Sequence, residues 1–132
     1  VERSMITYRL SDNMKKNRLT PRELEVMEIL WKHDEPLPAC DIQKDIPELS
    51  VNSVLPILKR LLNKEYIHIA DYSQRNKALM REFSPTISKE QYMASLIDNK
   101  TLLQMTTSFI QQCDDMDVLD QLQQEIDKKK QE

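Results

Sequence analysis

The sequence predicts a mostly α chain with a small β-hairpin, and three observations predict it. Three apolar-periodic segments joined by short turns lie between Leu19 and Lys64. Two strand-forming runs flank a polar stretch between Tyr66 and Ser84, and two further amphipathic stripes follow Pro85. Helix, helix, helix and then a hairpin with a basic tip is the order of a winged helix-turn-helix DNA-binding domain, here followed by a C-terminal helical dimerisation region. The expected boundaries are 1–18 for a flexible N-terminal arm, 19–86 for the winged-helix domain and 87–132 for the dimerisation domain.

The arm is polar, lacks periodicity and carries Lys15-Lys16-Asn17-Arg18. Order begins at Leu19-Thr20-Pro21-Arg22-Glu23-Leu24. Thr20 is an N-cap, Pro21 fills N1 where its missing N–H costs nothing, and Glu23 at N3 completes a capping box. Leu24, Val26, Met27, Ile29, Leu30 and Trp31 bury most of the girth of this helix, which ends near Lys32. Asp34-Glu35-Pro36-Leu37-Pro38 stops it, and a short helix from about Ala39 to Asp45 precedes Pro47. The third helix, about 50–64, sets Val54, Leu58, Leu61 and Leu62 against Lys59, Arg60, Asn63 and Lys64. Pro56 would lose a hydrogen bond deep in a helix capped by Ser50. The expectation is therefore a late-starting or kinked helix, capped by Asn52 or Ser53, with residues 50–52 irregular. Tyr66 to Ala70 and Ala78 to Ser84 read as strands, with Asp71 to Lys77 as the turn. Ser88 and Gln91 open a helical stretch of roughly 25 residues. Asp114, Asp115 and Asp117 interrupt it, and Val118, Leu119, Leu122 and Ile126 form a last stripe.

Composition excludes several function classes. The 132 residues are 39% apolar and 31% charged with a mean hydropathy of −0.62, and no run approaches the roughly 18 apolar residues that span a bilayer. A soluble, cytoplasmic chain without membrane insertion is expected, with Cys40 and Cys113 as buried free thiols. There are no glycines, hence no P-loop and no dinucleotide fingerprint. His33 and His68 fall in no metal-ligand spacing, and no nucleophile motif is present, so neither metal, cofactor nor catalytic residue is expected. The net charge is −3, yet residues 51–81 carry six basic and two acidic side chains, a local +4. Lys59, Arg60, Arg75 and Lys77 are the candidate phosphate contacts. Asn52 and Ser53 lie closest to base edges, with Leu55 offered to the groove beside Pro56. Two C-terminal stripes cannot close a core alone, so a homodimer is expected, anchored by Leu96, Leu103, Phe109, Leu122 and Ile126.

The segment from Leu19 to Trp31, Pro47-Glu48-Leu49-Ser50, Ser53-Val54 and Leu58-Lys59-Arg60-Leu61-Leu62-Asn63-Lys64 closely resembles the penicillinase-repressor family, which includes BlaI, MecI and CopY. Phe83-Ser84-Pro85 resembles the end of that family's wing, and Gln91-Tyr92 falls where its dimerisation helices begin. The resemblance implies a homodimeric repressor on a palindromic double-stranded DNA operator, upstream of antibiotic-resistance or metal-homeostasis genes. It also implies release by a membrane sensor-protease pathway that cuts an Asn-Phe bond, although this chain contains no Asn-Phe. The clustered C-terminal Cys-x-Cys pairs of the copper-responsive branch are absent. Glu65 and Asn76-Lys77-Ala78 stand where the family usually has glycine, and Pro56 replaces a polar Thr. Leu55 and Pro56 also motivate an alternative, a winged-helix protein-interaction module with reduced or lost base readout.

Overall fold

A computed structural model describes residues 18–132; the expected arm, up to residue 17, lies outside the described residues. Among these, six helices and three strands follow in the order α1 (Pro21–Lys32), β1 (Leu37–Pro38), α2 (Ala39–Lys44), α3 (Val51–Asn63), β2 (Ile67–Arg75), β3 (Ala78–Pro85), α4 (Lys89–Ser95), α5 (Asn99–Gln112) and α6 (Met116–Gln131). This is the winged helix-turn-helix order, with α3 as its third helix.

The capping box at α1 forms as its residues dictate, with the Thr20 hydroxyl accepting from the Glu23 N–H and the Glu23 carboxylate accepting from the Thr20 N–H. Val26, Met27 and Leu30 of α1 meet Ile42 of α2 and Val54, Leu58 and Leu61 of α3, all at or below 1% exposure. Each such aliphatic side chain contributes roughly 1.5–3 kcal/mol by leaving water. Phe83 and Ile67 close the core from the sheet side.

The antiparallel sheet has the order β1-β3-β2. Leu37 lies opposite Phe83 and Pro38 opposite Glu82, so the Pro-rich stretch that stops α1 also lays down a third strand. Its proline is tolerated at the sheet edge, where an N–H is dispensable. The β2–β3 ladder runs from Ile67 opposite Pro85 to Arg75 opposite Ala78, with a bulge between Ile69 and Asp71. The turn is shorter than the seven-residue stretch the sequence suggests. Asn76 and Lys77 alone make it, with φ of 51° and 66°, the two positive values of a type I′ hairpin turn.

The Pro56 expectation is overturned. Ser50 is the N-cap, its hydroxyl accepting from the Ser53 N–H, and α3 is continuous from Val51 with Pro56 inside it. The preceding turn decides the matter. The Gln43 side-chain amide donates to the Leu49 carbonyl at 2.9 Å and the Leu49 N–H donates to Ile46, so the chain reaches Ser50 already poised to begin a helix. A later start would also loosen Val51, which packs on the core. The lost bond to the Asn52 carbonyl is the smaller penalty.

The helical stretch of roughly 25 residues expected from Ser88 is two helices, α4 and α5. Asp98 caps α5 by accepting from the Thr101 N–H and hydroxyl, which ends α4 near Leu96. The chain divides into compact units at Leu96/Ile97, ten residues beyond the expected boundary. Tyr92 explains the shift. It is 4% exposed, lies 5.9 Å from Trp31 and 6.1 Å from Tyr66 between ring centroids, and its hydroxyl accepts from the Leu19 N–H. Through Tyr92, α4 packs on the core of the first unit. In the second unit no residue of α5 or α6 is buried. The two thiols, expected to be buried, are both half-buried and free.

The end of α3 is a Schellman motif. The Glu65 N–H donates to Leu62 and the Tyr66 N–H to Leu61, which requires Glu65 to adopt a φ of 63°. A Cβ in that left-handed position costs roughly 1 kcal/mol relative to glycine. Glu65→Gly should therefore raise the unfolding free energy by about 1 kcal/mol in a urea titration. An unchanged or lowered midpoint would mean that the Glu65 side chain contributes something the backbone does not reveal.

Candidate nucleic-acid interface

Burial of Val54, Ile57, Leu58 and Leu61 turns the other side of α3 outward. Leu55 and Pro56 lie three and four residues after Asn52, and Lys59 lies four and three residues after them, all exposed, with Ser53 and Arg60 in the adjoining row. Leu55 is 40% exposed, unusual for a leucine on a helix whose remaining apolar residues are largely buried. The basic wing lies on the same unit, with Arg75 and Lys77 at and beside its turn. The expected DNA-contact residues thus fall into two groups, six on α3 and two on the wing.

Their electrostatic states differ, which the sequence does not reveal. Glu23, fully buried, accepts from Lys64 Nζ at 2.7 Å through Oε1 and from Arg60 Nε at 3.3 Å through Oε2. The Oε1 atom also accepts from the Thr20 N–H at 2.9 Å. Burial alone would push the Glu23 carboxyl up, but the bonds from Lys64 and Thr20 outweigh it and hold the group below the ordinary glutamate value. Arg75 forms a two-bond fork with Asp41 in the first turn of α2, Nη1 to Oδ1 and Nη2 to Oδ2, both at 3.0 Å. Those bonds, with a smaller contribution from Lys44, hold the Asp41 carboxyl low against the opposing effect of burial. The Arg81 guanidinium sits 5.4 Å from the centroid of the Phe83 ring. Lys59 and Lys77 have no side-chain hydrogen bond or ion pair among the described residues.

Glu23 and Asp41 are the two residues sequence reasoning missed. Glu23 was legible as a cap and invisible as an ion-pair centre, because its cations lie 37 and 41 positions away. His33 pairs with Asp45 at 3.3 Å and His68 bonds to the Thr86 hydroxyl at 2.9 Å, so both imidazoles have structural partners. Among the described residues no group of three His, Cys, Asp or Glu could hold a metal ion, and no helix is long and apolar enough to cross a membrane. Of the expected dimer anchors, Leu103, Phe109 and Ile126 are 68%, 53% and 44% exposed on α5 and α6. Leu122 is half-buried, and Leu96 is the C-cap of α4 in the first unit.

A helix-turn-helix with an exposed recognition face and a basic hairpin beside it defines the winged-helix class of DNA-binding proteins. Residues 19–129 match the family model described as Penicillinase repressor, and the chain belongs to that family; it is a DNA-binding transcriptional regulator. No curated protein sequence matches. Among solved structures, a point mutant of S. aureus MepR bound to an oligodeoxyribonucleotide is 15% identical with a TM-score of 0.49, over 95% of this chain and 88% of that one. Disulfide-formed AbfR is 17% identical with a TM-score of 0.45, over 93% and 86%. The adhesin competence repressor AdcR from Streptococcus pyogenes is 14% identical with a TM-score of 0.41, over 98% and 96%.

The lowered pKa of Glu23 has a definite pH signature. A carboxyl whose folded pKa lies below its unfolded value of about 4.3 contributes its full stability above that value and loses it as pH falls through the folded pKa. Glu23→Gln keeps an acceptor for the Thr20 N–H but not the charge. It should lose about 1–2 kcal/mol at pH 7 and show a shallower loss of stability below about pH 4.3. Thermal melts from pH 7 to pH 3 measure both, and parallel profiles for the two proteins would remove the carboxylate from this role.

Proposed function

We propose that this regulator represses transcription as a homodimer on a palindromic operator, with α3 in the major groove and the wing on the phosphate backbone. The observation that carries the reading is the exposed face of α3, where polar, apolar and cationic side chains alternate at helical spacing beside a basic hairpin. Asn52 and Ser53 face base edges, and Lys59, Arg60, Arg75 and Lys77 meet phosphates. Leu55 packs on a thymine methyl, which discriminates less than a bidentate hydrogen bond, and Pro56 withholds the N–H that would occupy the Asn52 carbonyl. Specificity then leans on Asn52, Lys59, Arg60 and DNA shape.

The homodimer is supported by α5 and α6, which bury none of their own residues while exposing Leu103, Phe109, Ile110 and Ile126. Apolar area of that extent is covered most simply by a second copy, because a two-fold axis matches each stripe to itself. Proteolytic release at an Asn-Phe bond is not part of the proposal, since the chain has no such bond. The exposed Leu55 favours one competing reading, a protein-interaction module that has lost base readout, and DNA titration separates the two.

A dimer that neutralises about 6–8 phosphates should lose affinity with a log–log salt slope of about −5 to −7. A slope near zero would favour the interaction module. Replacing Lys59 and Lys77 together by Ala should make the slope shallower by about 3–4 in a dimer, because each copy gives up two contacts. The double variant Phe109→Asp, Leu122→Asp should sediment as a monomer and lose operator binding while keeping its winged-helix fold. Sedimentation as a dimer would place the interface elsewhere.

A further inference from the structure

The wing arginine reads from sequence as a free phosphate ligand, and the structure gives it a partner first. Arg75 closes β2 beside the Asn76-Lys77 turn, and its fork with Asp41 bridges the wing to α2 across 34 positions of sequence. The side chains remain 45% and 22% exposed, so the pair stands at the surface of the unit. Asp41 also accepts from Lys44 at 3.3 Å, and Nη1 also lies 3.8 Å from Cys40 Sγ. The opposite edge, formed by Nε–H and the second N–H of Nη2, makes no hydrogen bond among the described residues and is a fork that fits two phosphate oxygens.

We propose that Asp41 is a positioning residue for DNA binding: it fixes the plane of the Arg75 guanidinium, and with it the wing, so that the free edge of Arg75 is presented to a phosphate. The inference rests on the wing-to-backbone reading above. Two effects of Asp41 on DNA oppose each other. Its charge repels phosphate, which weakens binding to any sequence, and its fork orients Arg75, which favours the one register in which recognition helix and wing engage together. An isosteric Asp41→Asn separates them, because it removes the charge and weakens the fork while leaving Arg75 in place.

The experiment uses a duplex selected by the wild-type chain from a random library and a scrambled duplex of equal length, titrated by fluorescence anisotropy at fixed salt. Asp41→Asn should bind the scrambled duplex as well as wild type or better. Its selected-to-scrambled affinity ratio should fall about 10-fold, within the range that separates specific from non-specific complexes. Asp41→Glu, which keeps a carboxylate within reach, should recover most of the ratio. In an Arg75→Ala background, Asp41→Asn should lower the ratio no further, since a residue acting through another has no effect once that other is gone. An unchanged ratio in Asp41→Asn overturns the proposal. So does an equal fall in both backgrounds, which is what a folding defect would produce. A wild-type chain that binds no duplex overturns the DNA-binding reading together with this proposal, whereas wild-type selection with an unchanged Asp41→Asn ratio overturns this proposal alone.

Discussion

A single carboxylate holds the start of α1 against the far end of α3. Glu23 cannot reach water, so its charge is tolerable only because Thr20, Lys64 and Arg60 all donate to it. The arrangement is demanding in geometry: moving α3 by one turn would strand the carboxylate or separate it from Lys64. Hydrophobic burial of Leu58 and Leu61 drives the helices together without specifying their register, since neighbouring leucine and isoleucine positions offer similar area. Glu23 supplies the register. Burial of Val54, Ile57, Leu58 and Leu61 decides which face of α3 is exposed, and Glu23 ties the end of that helix to the start of α1.

The same principle governs the cations. The segment from Val51 to Arg81 looks like a simple basic patch, but three of its charges are partly offset within the fold, Arg60 and Lys64 by Glu23 and Arg75 by Asp41. Paired cations contribute less long-range attraction and are better ordered, so they lose less freedom when a ligand arrives. Lys59 and Lys77 have no ion-pair partner among the described residues. The surface thus divides into long-range attractors and preset short-range contacts, a division hidden in any count of lysines and arginines.

How much of this was legible depends on distance along the chain. The Thr20-Pro21-Glu23 start of α1, the Ser88-Gln91 start of α4 and the αL-tolerant Asn76 were readable because their chemistry is local. Pro56 was misread because a local penalty was weighed without the Gln43–Leu49 bond that positions Ser50. The break between α4 and α5 did have a local signal, Asp98 three residues before Thr101, masked by the continuing apolar stripe. β1 had only prolines to announce it, and its partner lies more than forty residues away. The two carboxylates that organise the candidate interface are inconspicuous in sequence, and only the fold brings their arginines and lysines to them.

The second unit carries a consequence for regulation. Helices of 14 and 16 residues with nothing buried are marginal on their own in water, because nucleation is costly and packing normally supplies the balance. If a second copy covers them, their order arises from encounter between chains, and the dissociation constant of the pair becomes a property of helix folding as well as of contact. Below that concentration, occupancy of a two-half-site operator rises with the square of the amount of chain; above it, in direct proportion. The exposed stripes would then act as a gauge of copy number, making the promoter insensitive to a trace of regulator and responsive once a threshold amount has accumulated.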